Sequence, residues 1–180
     1  GEYNIVFVAP MNLKIEYGIA FKKIYIERFD NKYFMGIDGY NALMLTLDFY
    51  RRFLKYEYML IFQLDAFVFS DKLLEFCNMK YDYIGAPWMY NFGRYSYSGR
   101  IFKSVVGNGG FSLRRVKACF DVLERNPHIL QAWTANEDCF FAYCGMKKIG
   151  GFHIADKKTS ISFSFERSAE KLWKLNNNAL

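Results

Sequence analysis

Residues 58–70 read YMLIFQLDAFVFS. The run from Tyr58 to Phe62 is aromatic and branched, lacks Pro and Gly, and has the length of a buried strand. It stops at Gln63-Leu64-Asp65 and resumes from Ala66 to Phe69. A carboxylate in such a run is costly unless it is paired or holds a cation. The residues alone leave two readings of Asp65 open. It caps a turn or pairs with an Arg, or it stands at a sheet edge as a ligand for Mg²⁺ or Mn²⁺, hard cations that accept one carboxylate plus substrate phosphates. Side chains two apart on a strand point the same way, so Gln63 and Asp65 would face one ligand.

The flanking sequence alternates strand and helix signals. Asn4–Ala9 reads as a buried strand and Lys23–Glu27 as a second, with a loop over Asn31–Gly36. Ile37 to about Tyr56 carries apolar residues at helical spacing, as one helix or as two broken near Thr46–Asp48. After the strand before Asp65, Ser70-Asp71 is a cap signal for a helix to about Met79. Tyr81–Gly85 reads as a short strand, Asn91–Gly99 as a mobile surface loop, and Phe111–Leu113 as a strand. Helices are expected over Arg114–Asn126, stopped by Pro127, and over Ala135 to about Lys147. Thr159–Phe165 (TSISFSF) alternates and reads as a strand; the polar tail from Glu166 to Leu180 reads as partly helical. Such alternation predicts an α/β three-layer sandwich with a largely parallel sheet.

Composition narrows the function classes. Of 180 residues, 52% are apolar and 20% aromatic, which suits one domain with a core and excludes a disordered chain. No apolar run reaches membrane-spanning length. The opening GEYNIVFVAP has neither a basic n-region nor a small-residue cleavage site, so no signal peptide is expected there; a start almost directly on a strand suggests a natural protein that begins further upstream. Net charge is +6, from 24 Lys and Arg against 18 acids, which favours an anionic partner. The cations are scattered, as at Lys22-Lys23 and Arg114-Arg115, and form no nucleic-acid arm. Four cysteines (Cys77, Cys119, Cys139, Cys144) form no C-x-x-C pair and read as buried thiols of a reducing compartment. With His128 and His153 the only histidines, a His-rich metal site is excluded.

Two further segments carry chemistry. Gly107-Asn108-Gly109-Gly110 permits positive φ and close backbone approach, so its amides could hold a hydroxyl or phosphate; it is neither a P-loop nor a dinucleotide fingerprint, and taken alone it reads better as a tight turn before a strand. In Asn136-Glu137-Asp138, Glu137 completes a capping box with Thr134, whereas Asp138 is not needed by the box and is a candidate general base. Trp88 and Trp133 have the rings that sugars stack on, and fit a core as well.

The order of these motifs — Q-L-D-A at Gln63, Y-D-Y-I-G-A-P-W at Tyr81, G-N-G-G-F-S-L-R at Gly107, N-E-D at Asn136 and F-S-F-E at Phe163 — resembles a family of bacterial glycosyltransferases catalogued as a domain of unknown function. Gly39-Tyr40-Asn41 and Asp48-Phe49-Tyr50 also resemble it. That family is similar to the GT-A fold, a nucleotide-sugar-binding α/β/α sandwich. The resemblance implies that Asp65 matches the last carboxylate of a D-x-D motif and binds Mn²⁺ or Mg²⁺ on the donor diphosphate. Gln63 stands where the first Asp of that motif usually stands, a departure that removes one charge from the metal. Gly109 and Gly110 would line the donor sugar pocket. Glu137 and Asp138 would match the acidic pair, with Asp138 as base and Glu137 as acceptor or structural ligand; Trp88, Asn108 and Asn136 would serve the acceptor. The chain would be a single GT-A-like domain that lacks the family's first strand and its last segment, in which a His offers a further metal ligand.

The expected function is therefore transfer of a sugar from a nucleotide-diphosphate sugar, UDP favoured, to a hydroxyl of a glycan or lipid-linked acceptor. The expected setting is cytoplasmic, with peripheral contact at the inner membrane face left open and no nucleic-acid partner. The alternatives are a sugar-phosphate nucleotidyltransferase and a non-catalytic glycan- or nucleic-acid-binding module; the second lacks the regular aromatic–basic interleaving of a single-strand platform.

Overall fold

Strand β1 (Ile5–Pro10) and strand β2 (Ile24–Phe29) pair in parallel, with Ile5 opposite Ile24 and Pro10 opposite Phe29. The computed structural model describes residues 3–14, 24–88, 94–166 and 170. The chain divides into two compact units, Gly1–Met44 and Leu45–Leu180. In the first, Arg28 Nη1 donates to the carbonyls of Pro10, Met11 and Leu13 at 2.8, 3.2 and 3.0 Å, tying the end of β1 to β2. A 3-10 turn over Asn31–Phe34, capped by Asp30, replaces the expected loop and leads into helix α1 (Gly36–Met44).

In the second unit the helical signal breaks where expected. Helix α2 (Leu47–Arg52) starts at Thr46, whose hydroxyl accepts from the Phe49 amide at 3.2 Å. Strand β3 (Tyr58–Phe62), helix α3 (Leu73–Asn78) and strand β4 (Tyr83–Gly85) follow. The cap of α3 is Lys72 rather than Ser70-Asp71. Strands β5 (Arg94–Tyr97) and β6 (Arg100–Lys103) form a hairpin where a loop was expected; residues 91–93 of that stretch lie outside the described residues. Strand β7 (Phe111–Arg115) runs directly into helix α4 (Val116–Glu124). Pro127, expected only to stop a helix, opens helix α5 (Pro127–Gln131) at its first position, where the missing N–H costs nothing. Helix α6 (Glu137–Met146) and helix α7 (Lys157–Phe163) complete the described elements. Of the tail, only Glu166 and Glu170 fall among the described residues.

The molecule is mixed α/β, but the largely parallel sheet is corrected. The order in the main sheet of this unit is β3-β7-β4, and β7 is antiparallel to both neighbours. β3 and β4 therefore share a direction, as a strand–helix–strand unit requires. β7 comes between them and makes each ladder antiparallel. Alternation of elements carries no information about which strands become neighbours. Among the described residues, β1 and β2 are the one parallel pair of strands.

The second correction is α7. Thr159–Phe165 alternates like a strand, yet Asp156 accepts from the Thr159 amide at 2.8 Å and starts a helix. Ser160, Phe163 and Ser164 recur at helical spacing, and the Phe163 ring lies 5.0 Å from Phe76 of α3 and 5.3 Å from Phe111 of β7.

Helices cover both faces of the sheet. On one face Ile84 and Leu113 pack with Phe76, Ala155, Tyr58 and Phe163. On the other, Tyr83 stacks on Phe141 of α6 at 5.7 Å, and Phe141 meets Tyr50 of α2 at 6.0 Å. Ser112 and Arg114 alternate with Leu113 on β7, so this second face receives a buried guanidinium. Among the described residues no helix is long and apolar enough to cross a membrane.

Candidate active site

The loop Gly107–Gly110 leads into β7, and four other motif segments converge on it. From β4, the Ala86 carbonyl accepts from the Gly107 amide at 3.2 Å, and the Trp88 ring lies over Gly107, 2.0 Å from where a Cβ would stand. From the end of β3, the Gln63 amide donates to the Gly110 carbonyl at 3.0 Å. The Gln63 side chain covers Gly110 closely enough that a Cβ would come within 2.5 Å of its Oε1. A Cβ on Gly109 would stand 1.7 Å from Glu137 Oε1. At Gly109 the obstacle is a carboxylate locked in place, so close approach rather than positive φ demands glycine; at Gly110 a Cβ would require the tip of the Gln63 side chain to shift. The positive φ, 53°, belongs to Asn108. Its side chain accepts from the Gly110 amide at 3.3 Å and donates to Glu166 just past α7.

A buried ion pair anchors the loop. Arg114 is 0% exposed and Glu137 1%. Glu137 Oε1 accepts from Arg114 Nη2 at 3.0 Å, and Oε2 lies 3.0 Å from Nη1. The remaining donors of the guanidinium go to Tyr50 Oη at 2.9 Å, Ser112 Oγ at 2.9 Å and the Gly109 carbonyl at 3.3 Å. Ser112 Oγ donates to that same carbonyl at 2.9 Å. The Arg114 guanidinium also faces the Tyr83 and Phe141 rings at 5.1 and 5.3 Å. A charge pair out of water needs close compensation: the guanidinium donors are taken up by this network, whereas Glu137 Oε2 accepts no hydrogen bond among the described residues and is held by the charge of Nη1. Burial drives the Tyr50 hydroxyl well above its ordinary pKa, so it stays a neutral partner.

Glu137 is therefore a bracket between α6 and β7, not half of a capping box. A capping box needs Glu at the third helical position; Glu137 is the first, behind Asn136, and Thr134 plays no cap role. Asp138, next along, is mostly buried. Burial raises its carboxyl above the ordinary range, while the amides of Cys139 and Gly109 and the charge of Arg114 hold it partly down. The Cys139 amide donates to its Oδ1 at 2.7 Å. A carboxylate in that state is a better proton acceptor than a solvated one.

Asp65 stands differently from expectation. β3 ends at Phe62, and the Ala66 amide closes a turn onto the Gln63 carbonyl at 3.0 Å. Asp65 is exposed within that turn, so Gln63 and Asp65 do not alternate on one strand. No group of three His, Cys, Asp or Glu side chains among the described residues is arranged to hold a metal. An exposed carboxylate two residues beyond the loop contact fits a cation whose other ligands are substrate phosphates and waters, and does not fit an all-protein cage. Asn136 is exposed at the α6 cap, and its carbonyl accepts from Trp133 Nε1 at 3.1 Å.

The structure thus brings Gln63, Trp88, Asn108, Gly109, Gly110, Glu137 and Asp138 around one loop; Asp65 lies two residues after Gln63 and Asn136 caps α6 next to Glu137. Sequence reading missed Arg114, Tyr50, Ser112 and Glu166. Arg114, expected to start a helix, is instead the fourth residue of β7, and Glu137, expected to complete a capping box, is its buried partner. Glu166 closes a motif, F-S-F-E, that was noticed without a role.

No curated protein and no solved structure matches this sequence. A family described as "Protein of unknown function (DUF5672)" matches residues 23–180, a span that holds every candidate residue and leaves β1 outside. The match covers most of the chain and all five motif segments meeting at the glycine loop, and the protein belongs to this DUF5672 family.

Proposed function

We propose that the protein is a metal-dependent glycosyltransferase that moves a sugar from a nucleoside-diphosphate donor, UDP favoured, to a hydroxyl of a glycan or lipid-linked acceptor. The observation that carries this reading is Asp138: a desolvated carboxyl at the start of α6, held by the Gly109 and Cys139 amides beside a glycine loop. Its raised proton affinity suits it to take the proton of an attacking hydroxyl. Glu137 and Arg114 hold the loop in place. Gln63 and Asn108 offer neutral hydrogen-bonding groups for sugar or ribose hydroxyls. Asp65 would hold Mn²⁺ or Mg²⁺, which supplies positive charge for the leaving diphosphate.

The test is calorimetric titration of UDP with and without Mn²⁺, followed by transfer assays. Wild type should bind UDP in a Mn²⁺-dependent manner, and Asp65→Ala should lose that dependence. Asp138→Asn should bind the donor normally and transfer nothing. Full turnover by Asp138→Asn would remove the base, and identical UDP binding by Asp65→Ala would remove the metal site.

A further inference from the structure

The aromatic face of the β5–β6 hairpin packs against the segment that leads into α6. In register, Tyr95 faces Phe102 and Tyr97 faces Arg100. This face packs on α6: the Tyr97 ring lies 5.1 Å from Tyr143 and 5.2 Å from Trp133, and Trp133 and Tyr143 are 5.5 Å apart. Tyr95 is buried beneath them, but Tyr97, Trp133 and Tyr143 stay partly exposed. Their phenol and indole edges form an amphipathic surface, not a closed core. Trp133 is tied by its indole N–H to Asn136, so the surface ends within one helical turn of Asp138.

Exposed cations flank this surface. Arg100 stands beside Tyr97, and Lys147 Nζ lies 5.2 Å from the Phe102 ring; both cations are exposed. On the hairpin's outer face Arg94 is directly opposite Lys103. Like charges in that position destabilise a hairpin. No acidic residue occurs between Arg94 and Lys103, and none of Arg94, Arg100 and Lys103 has an ion pair among the described residues. A hairpin that keeps this repulsion is suited to an anion. Stacking rings next to cations also fit a ligand that offers flat apolar faces and negative charge together.

We infer that the rim formed by Tyr97, Trp133, Tyr143, Arg100 and Lys147 binds an acidic saccharide, one with carboxylate or phosphate groups on its rings. The inference rests on the transferase reading in one respect: the saccharide is then the acceptor, laid beside Asp138. The ladder of four pairs is about 10 Å long, so a short oligosaccharide can meet both the rings and the cations.

Calorimetric titration of the whole chain with a galacturonic-acid trisaccharide, and with its uncharged methyl ester, tests it. The acid should bind and weaken with added salt, and the ester should bind about tenfold more weakly. The variant Arg100→Gln/Lys147→Gln, changed only at exposed positions, should bind the acid about tenfold more weakly and the ester as before. Tyr97→Ser, folded by circular dichroism, should weaken both. Equal binding of acid and ester, or binding of neither, overturns the proposal. So does a response confined to a short oligothymidylate or to phosphatidylglycerol vesicles, run alongside. UDP binding is measured on the same samples: loss of saccharide binding with UDP binding intact sinks this inference alone, and the reverse pattern sinks only the donor reading.

Discussion

Two neighbouring carboxylates, Glu137 and Asp138, have different fates because one residue of helix turns them to different partners. Glu137 meets Arg114 across the sheet face with no exposure on either side. Removing one member of such a pair leaves a buried charge without compensation, a loss of about 3 kcal/mol or more. Urea denaturation of Glu137→Gln should show that loss; an unchanged midpoint would mean the network holds the loop without the pair. Asp138 behaves in the opposite way. Burial raises its carboxyl, so the folded protein keeps a proton that the unfolded chain releases. Its contribution is therefore fully present below the ordinary carboxylate value and is lost as pH rises through the folded value. At neutral pH its buried charge costs stability. Asp138→Asn should melt no lower than wild type at neutral pH while transfer falls about 10²- to 10⁴-fold, measured by thermal denaturation and donor turnover. A clear drop in melting temperature would assign Asp138 to structure instead.

At the scale of elements, the sequence was readable where local chemistry and burial agreed. The break between α1 and α2 follows from Thr46, and the end of β4 from Gly85, although the strand starts at Tyr83 rather than Tyr81. It misled where a side chain's role was set by a distant partner. Glu137 looked like half of a capping box because Thr134 stands three residues before it; Arg114, in another element, takes it instead. Gln63 and Asp65 looked like strand neighbours, but the pleat ends at Phe62 and a turn separates them. The convergence of five motifs on Gly107–Gly110 could not be seen, since it depends on β7 lying between β3 and β4. For α7, alternation was a weaker signal than the cap at Asp156. The Thr159 amide holds that carboxyl below its ordinary pKa. Its contribution is present above the unfolded value and lost as pH falls through the folded one. Asp156→Ala should cost about 1 kcal/mol at neutral pH and little in acid, checked by denaturation at both. An equal cost at both pH values would show that the cap is not electrostatic.

Across the whole molecule, every candidate residue falls within Leu45–Leu180, and so do all 3 tryptophans of the chain. Indole fluorescence therefore reports on the unit that carries the site. The net charge of +6 favours anionic ligands at long range, but a generic attraction falls with salt whatever the anion's shape. A bound cation makes a sharper distinction. If Asp65 supplies the protein's carboxylate and the donor diphosphate supplies the rest, neither Mn²⁺ nor UDP alone completes the coordination. The two should bind together, and their stabilisation should exceed the sum of the separate effects. At about 100-fold excess over Kd, binding to the folded state alone adds about 2.7 kcal/mol, a readable rise in the fluorescence melting temperature. Chelation of the metal with EDTA should return the transition to that of UDP alone, and Asp65→Ala should respond the same with and without Mn²⁺. A shift produced by UDP that EDTA leaves in place would make the donor site metal-independent and return Asp65 to the role of a turn residue.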